Sequence, residues 1–177
     1  MKKLKNSELN RISIEEFKNS SKTPIKVILD NIRSAHNVGS IFRTCDAFLI
    51  DEIILCGITA SPPNKEIRKT ALGSTDSVKW SYFENCKEAI QELKKEKFQI
   101  ISIEQADKST RLEDFNVNSK KKYALIFGNE IKGVNQKLID MSDVVVEIPQ
   151  FGTKHSFNVS VSVGIVIWDF FSKIKAN

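Results

Sequence analysis

The sequence predicts an α/β fold: a mainly parallel β-sheet flanked by helices. Short apolar runs rich in β-branched residues, such as Val27-Ile28-Leu29 and Ile53-Ile54-Leu55, alternate with longer amphipathic segments. Strands that alternate with helices build a parallel sheet, because each parallel neighbour needs a crossover connection. A chain of 177 residues is also ample for one hydrophobic core.

The elements follow in order. Residues 1–23 form a polar extension, in which Ser13-Ile14-Glu15-Glu16 fits a capping box opening a brief helix. A domain is expected over residues 24–177. Val27–Leu29 reads as a buried strand. From Asn37 to Phe48 the apolar residues Val38, Ile41, Phe42, Cys45 and Phe48 make one helical stripe, with Arg43 on nearly the opposite side. Glu52–Cys56 is the next strand, closed by Gly57. A long polar stretch follows, turning at Ser61-Pro62-Pro63-Asn64. Val78–Phe83 is a weaker strand, and Asn85 can cap a helix running to Lys97. Phe98–Ile103 and Tyr123–Phe127 are strands joined by a charged connection. A short helix near Asn135–Met141 leads to strand Val144–Ile148. The last segment, Asn158–Ile174, is too long for a strand and reads as a helix despite its β-branched residues.

Composition narrows the function classes. Apolar residues make up 41% and charged residues 28%, as in an ordinary soluble protein. No apolar run has the length and purity of a membrane span, and the lysine-rich start has no apolar stretch after it, so a cytoplasmic protein is expected. Cys45, Cys56 and Cys86 are far apart and read as buried thiols. With only two histidines, a zinc site would need an unusual ligand set, and no metal is expected. A net charge of +5 suits a polyanionic partner.

In open parallel sheets ligands bind beyond the carboxyl ends of the strands, which points to the loops after Leu29, Ile103, Phe127 and Ile148. The loop Gly128-Asn129-Glu130-Ile131-Lys132-Gly133 has the glycine spacing of a phosphate loop, but Val134-Asn135 stand where a lysine and a hydroxyl residue are needed. The loop after Ile148 carries Gly152, Ser156, Asn158 and Ser160 at the mouth of the last helix. Two polar, glycine-bearing loops of this kind could form a slot for an uncharged, adenosine-like group. Read from the residues alone, a generic nucleotide-binding domain stays open, disfavoured by the missing phosphate-loop residues.

Three segments together resemble the motifs of the SpoU/TrmH-type RNA 2′-O-methyltransferases of the SPOUT class. They are Asn37-Val38-Gly39-Ser40-Ile41-Phe42-Arg43, then Phe127 to Gly133, then Ile148-Pro149-Gln150-Phe151-Gly152 with Ser156-Phe157-Asn158-Val159-Ser160. Lys69-Thr70-Ala71-Leu72-Gly73 resembles a further family loop. Leu49, Val134, Phe157 and Ser162 depart from the usual residues at packing or cap positions, and every polar residue of the motifs is intact. The resemblance implies a C-terminal deep trefoil knot, a homodimer with its active site at the subunit interface, and S-adenosylmethionine as methyl donor. It further implies transfer to a ribose 2′-hydroxyl of tRNA or rRNA, not to DNA. By motif position it implies that Ile103, Gly128, Ile148 and Ser156 contact the cofactor and that Arg43 is catalytic. Asn37, Glu130 and Asn158 are implied to shape the site. A SPOUT-class base methyltransferase and a non-catalytic RNA-binding module are the alternatives.

Overall fold

The computed structural model describes residues 1–176; residue 177, the last of the expected domain, lies outside them. In chain order the elements are α1 (Ile14–Asn19), β1 (Thr23–Asp30), α2 (Ala35–Ala47), β2 (Ile50–Cys56), α3 (Lys65–Ala71), α4 (Ser74–Ser77), β3 (Trp80–Phe83), α5 (Cys86–Lys95), β4 (Phe98–Ile103), β5 (Thr110–Arg111), β6 (Lys122–Phe127), α6 (Gln136–Ile139), β7 (Val144–Glu147) and α7 (Val159–Ala176).

The strands form one seven-stranded sheet in the order β3-β2-β1-β6-β4-β7-β5. Every strand pairing among the described residues is parallel. β6, made late in the chain, sits between β1 and β4, with Leu29 opposite Phe127 and Ser102 opposite Ile126. The two faces carry separate cores. Val27 and Leu29 of β1 point toward α2 and α7, joining Val38, Ile41, Phe42, Val163 and Phe170. Ile28 points the other way, toward Ile90 and Leu93 of α5 and Leu138 of α6. This alternation along one strand is the period of two that a sheet covered on both faces requires.

Local signals set the helix starts. The Ser13 capping box is formed, with Ser13 N donating to Glu16 Oε2 at 2.7 Å and Glu16 N to Ser13 Oγ at 3.2 Å. Phe17 of the same helix is buried in the core. α2 begins two residues before the expected Asn37, because Ser34 takes the cap position and accepts from Asn37 N at 3.3 Å. Val38, Ile41, Phe42 and Cys45 of its stripe are buried as expected, Phe48 just after the helix is half-buried, and Arg43 is exposed.

The polar stretch after Gly57 is not a plain loop. It holds α3, capped by Asn64 through Glu66 N and Ile67 N, and α4. α3 lies so close to α2 that a Cβ on Gly39 would come within 2.3 Å of the Ile67 carbonyl oxygen. The charged connection before β6 likewise contains the two-residue strand β5 at the sheet edge. No helix among the described residues is long and apolar enough to cross a membrane.

Candidate active site

The parallel sheet brings the carboxyl ends of β1, β4, β6 and β7 to one edge, and the loops that follow them meet there. The loop after β6 is a tight turn. Gly133 N donates to Asn129 O at 2.8 Å, and Asn129 Oδ1 accepts from Ile131 N and Lys132 N. Gly128 leaves the room for this fold-back, since a Cβ there would lie 2.2 Å from Gly133 C. Gly133 takes a φ of 67°, in the left-handed region that glycine adopts at no steric cost.

Glu130 projects from that turn and gathers three groups. Its carboxylate accepts from Arg33 N at 2.9 Å, Ser34 N at 3.1 Å and Asn37 Nδ2 at 3.2 Å. Half-burial alone would push this carboxyl up, but the hydrogen bonds outweigh it and hold Glu130 below its ordinary value. Asn37 passes the connection on, its Oδ1 accepting from Asn158 Nδ2 at 3.1 Å. Asn158 Oδ1 in turn accepts from Ser160 N at 2.9 Å and Ser160 Oγ at 2.6 Å, closing the first turn of α7. These three side chains hold one another in place, so they position the site rather than offer a free acid or base.

On the other side of the turn lies a cavity of about 470 Å³. All four residues expected at the cofactor, Ile103, Gly128, Ile148 and Ser156, line it, and Glu130 stands at its wall. The sequence reading missed Glu104 and Gln105. Glu104 bridges two loops, accepting from Gln105 N at 2.8 Å and Val134 N at 2.9 Å, and Gln105 Nε2 donates to His155 O at 2.8 Å. The available signal was their position directly after a strand end. β4 lies between β6 and β7 in the sheet, so Glu104 sits between the two loops that wall the cavity.

Arg43 is not in this group. It stands six residues beyond Asn37 on α2, roughly 9 Å along the helix axis. It lines a separate hollow with Ser40, Thr44 and Lys69 and makes no hydrogen bond or ion pair among the described residues. The neighbouring surface is apolar: Trp168 is 58% exposed, its ring 5.9 Å from that of Phe48.

Comparison with known proteins adds what geometry alone does not. The chain is 31% identical over 159 residues to the 23S rRNA (guanosine-2′-O-)-methyltransferase RlmB of Neisseria meningitidis serogroup B, covering 89% of this chain and 62% of that protein. It is 31% identical over 147 residues to a tRNA (guanosine(18)-2′-O)-methyltransferase of Aquifex aeolicus, covering 81% and 66%. The chain thus spans just under two thirds of the length of these relatives. Its fold is similar to the crystal structure of the A. aeolicus TrmH/SpoU tRNA modifying enzyme, with a TM-score of 0.79, 26% identity, and coverage of 92% of this chain and 81% of that one. The AdoMet-bound rRNA methyltransferase from Sinorhizobium meliloti gives a TM-score of 0.77 at 25% identity, covering 87% and 59%. The model of the SpoU rRNA Methylase family matches residues 24–168, a span that contains every loop of the cavity, and the chain belongs to that family.

Proposed function

We propose that this chain is an S-adenosylmethionine-dependent RNA methyltransferase that acts on a ribose 2′-hydroxyl of tRNA or rRNA, with residues 24–177 as its catalytic domain and residues 1–23 as an extension. The observation that carries the reading is the bonded set Glu130, Asn37 and Asn158 beside the cavity of about 470 Å³. Three segments far apart in the chain are locked there into one edge. Two relatives named as guanosine 2′-O-methyltransferases and a similar structure described as AdoMet-bound support it.

The residues fit the cofactor. The cavity volume lies in the range of small-ligand sites. Ile103 and Ile148 can cover an adenine, the backbone after Gly128 offers polar groups beside it, and Ser156 adds a hydroxyl. Glu104 supplies negative charge toward a ligand bearing a sulfonium and an ammonium. The chemistry supplied by the bound cofactor is an electrophilic methyl whose donor sulfur ends neutral, so the remaining task is to orient the hydroxyl and relieve it of its proton. Arg43 suits the oxygen's developing charge: a guanidinium can grip an adjacent phosphate and stabilise an oxyanion.

Arg43 does not line the cavity of about 470 Å³ in its own chain, and a homodimer in which a second copy brings Arg43 to it is part of the proposal. The exposed Trp168 and Val161 of α7, with Phe48 directly after α2, supply apolar surface, and Phe48 shares its hollow with Arg43. A C-terminal trefoil knot is also proposed. It is supported by the late strand β6 lying inside the sheet and by the return of the chain after β7 to α2. A cytoplasmic location accords with three free, buried thiols.

The test is transfer of labelled methyl from S-adenosylmethionine to total tRNA and rRNA from cells lacking the gene, followed by nucleoside analysis. Label in 2′-O-methylnucleosides, absent when the target ribose is 2′-deoxy, is expected. Label in a base would make this a base methyltransferase, and cofactor binding without transfer would make it an RNA-binding module. Sedimentation of the same sample should give a dimer.

A further inference from the structure

At the carboxyl end of β1 stands a buried acid that the methyl-transfer site does not use. Asp30 is 4% exposed. Its Oδ1 accepts from Asn31 Nδ2 at 2.8 Å, whereas Oδ2 accepts no hydrogen bond among the described residues and is not sealed from solvent. A carboxylate oxygen in a mostly buried residue with no protein partner leaves an acceptor position that a donor-bearing ligand can fill. Burial pushes the Asp30 carboxyl up, and the Asn31 hydrogen bond offsets this only in part.

Asp30 lines a cavity of about 500 Å³ together with Asn31, Arg33, Ile58, Ile131 and Lys132. The two isoleucines are 67% and 74% exposed, on turns that are otherwise polar. Both turns are braced. Ile58 N donates to Asn31 Oδ1 at 3.2 Å, and Ile131 N to Asn129 Oδ1 at 3.0 Å. Since β1 lies between β2 and β6, these isoleucines stand on opposite sides of the Asp30 acceptor. Arg33 and Lys132 are exposed beside them.

We propose that this cavity is a nucleobase subsite that takes a guanine of the RNA substrate, a reading that rests on the RNA methyltransferase function proposed above. Asp30 accepts from the base edge, Ile58 and Ile131 cover its faces, and Arg33 and Lys132 hold the flanking phosphates. Among the four bases guanine alone sets two donors side by side, N1–H and N2–H₂. Adenine and cytosine place an acceptor nitrogen next to their amino group, which the carboxylate repels, and uracil flanks its one N–H with carbonyls. The subsite adjoins the proposed active site. Arg33 N bonds Glu130, and the turn from Asn129 to Gly133 walls both cavities.

The experiment titrates guanosine monophosphate, inosine monophosphate and the trinucleotide UpGpU into the full chain with S-adenosylhomocysteine present, following backbone amide resonances. Shifts should concentrate at Asn31, Ile58 and Ile131. Inosine monophosphate lacks the 2-amino group and should bind about fivefold or more weakly. The trinucleotide should bind more tightly than the monophosphate, by a margin that shrinks as salt rises. Asp30→Asn should erase the preference for guanosine. Ile58→Ser changes an exposed side chain, which leaves the fold intact, and should weaken guanosine monophosphate about threefold or more. Equal binding of the two monophosphates, or shifts confined to the cofactor cavity, overturns the guanine subsite. A trinucleotide that binds no better than the monophosphate assigns the cavity to a free nucleotide and overturns its RNA role. A chain that takes no S-adenosylhomocysteine defeats the methyltransferase reading, while the guanine measurement still reads out separately.

Discussion

Asn158 Nδ2 donates to Asn37 Oδ1 at 3.1 Å although 121 residues separate them, so the first turn of α7 is tied to the first turn of α2. The same side chain caps α7 through Ser160 N. Replacing Asn158 with Ala removes both contacts. Loss of the cap should cost about 1 kcal/mol and lower Tm by roughly 2–4 °C. Turnover should fall further than stability, because Asn37 and Glu130 lose a brace. Thermal unfolding and methyl-transfer rates on one preparation check both effects.

Glu130 carries a pH signature. Its folded-state pKa lies below the ordinary 4.5, with burial opposing and the bonds from Arg33, Ser34 and Asn37 prevailing. A depressed carboxyl contributes stability that is complete above the ordinary glutamate range and lost as pH falls through the lowered value. Between about pH 5 and pH 3 the Tm of the unmodified protein should therefore drop more steeply than that of Glu130→Gln. Parallel slopes in a pH series of melting curves would mean that the carboxylate gains nothing from its partners.

Arg43 separates stability from activity. It is exposed and unbonded among the described residues, so Arg43→Ala should change unfolding free energy by less than about 0.5 kcal/mol. Calorimetry should show unchanged cofactor affinity. The rate should drop by about 100-fold or more, the scale seen when an oxyanion-stabilising donor is removed. Arg43→Lys should recover little, because an ammonium cannot make the bidentate contact.

Gly128→Ala tests the turn after β6. The new Cβ would meet the backbone of Gly133 and Val134 at 2.2 Å, and backbone cannot swing away as a flexible side chain can. Overpacking of this kind costs about 1–3 kcal/mol. Because Gly133 moves with it, cofactor binding should weaken more than global stability, as paired calorimetry and denaturant titration would reveal.

Much of the sheet was legible because its inner strands β1, β2, β4 and β6 are mainly apolar on both faces and differ sharply from their surroundings. α3 was not, since Ile67 and Ala71 are its only buried residues and a single pair makes no stripe. β5 has two residues and no periodicity to read. The loops that wall the cavity were legible from the parallel sheet and from their glycines and polar residues, and the motif resemblance carried four residues to one place. What it could not convey is that Glu130, Asn37 and Asn158 bond to each other, because pairing across 93 and 121 residues leaves no local trace. Glu104 was invisible for a different reason: a lone glutamate after a strand is ordinary until its two amide partners are seen. Arg43 was read correctly as pointing away from the apolar stripe, and its distance from the cavity emerged only from the structure.

The insertion of β6 between β1 and β4 bears on how the molecule is born. β4 pairs only with β6 and β7, both of which follow it in the chain. While the protein emerges from a ribosome, β1, β2 and β3 can associate at once, but the apolar strand from Phe98 to Ile103 must wait for partners not yet made. For that interval it is an unpaired edge, the kind of surface that chaperones shield and that aggregation exploits. A released chain truncated after residue 120 should be cleaved by protease near Phe98, and the chain extended through α7 should resist.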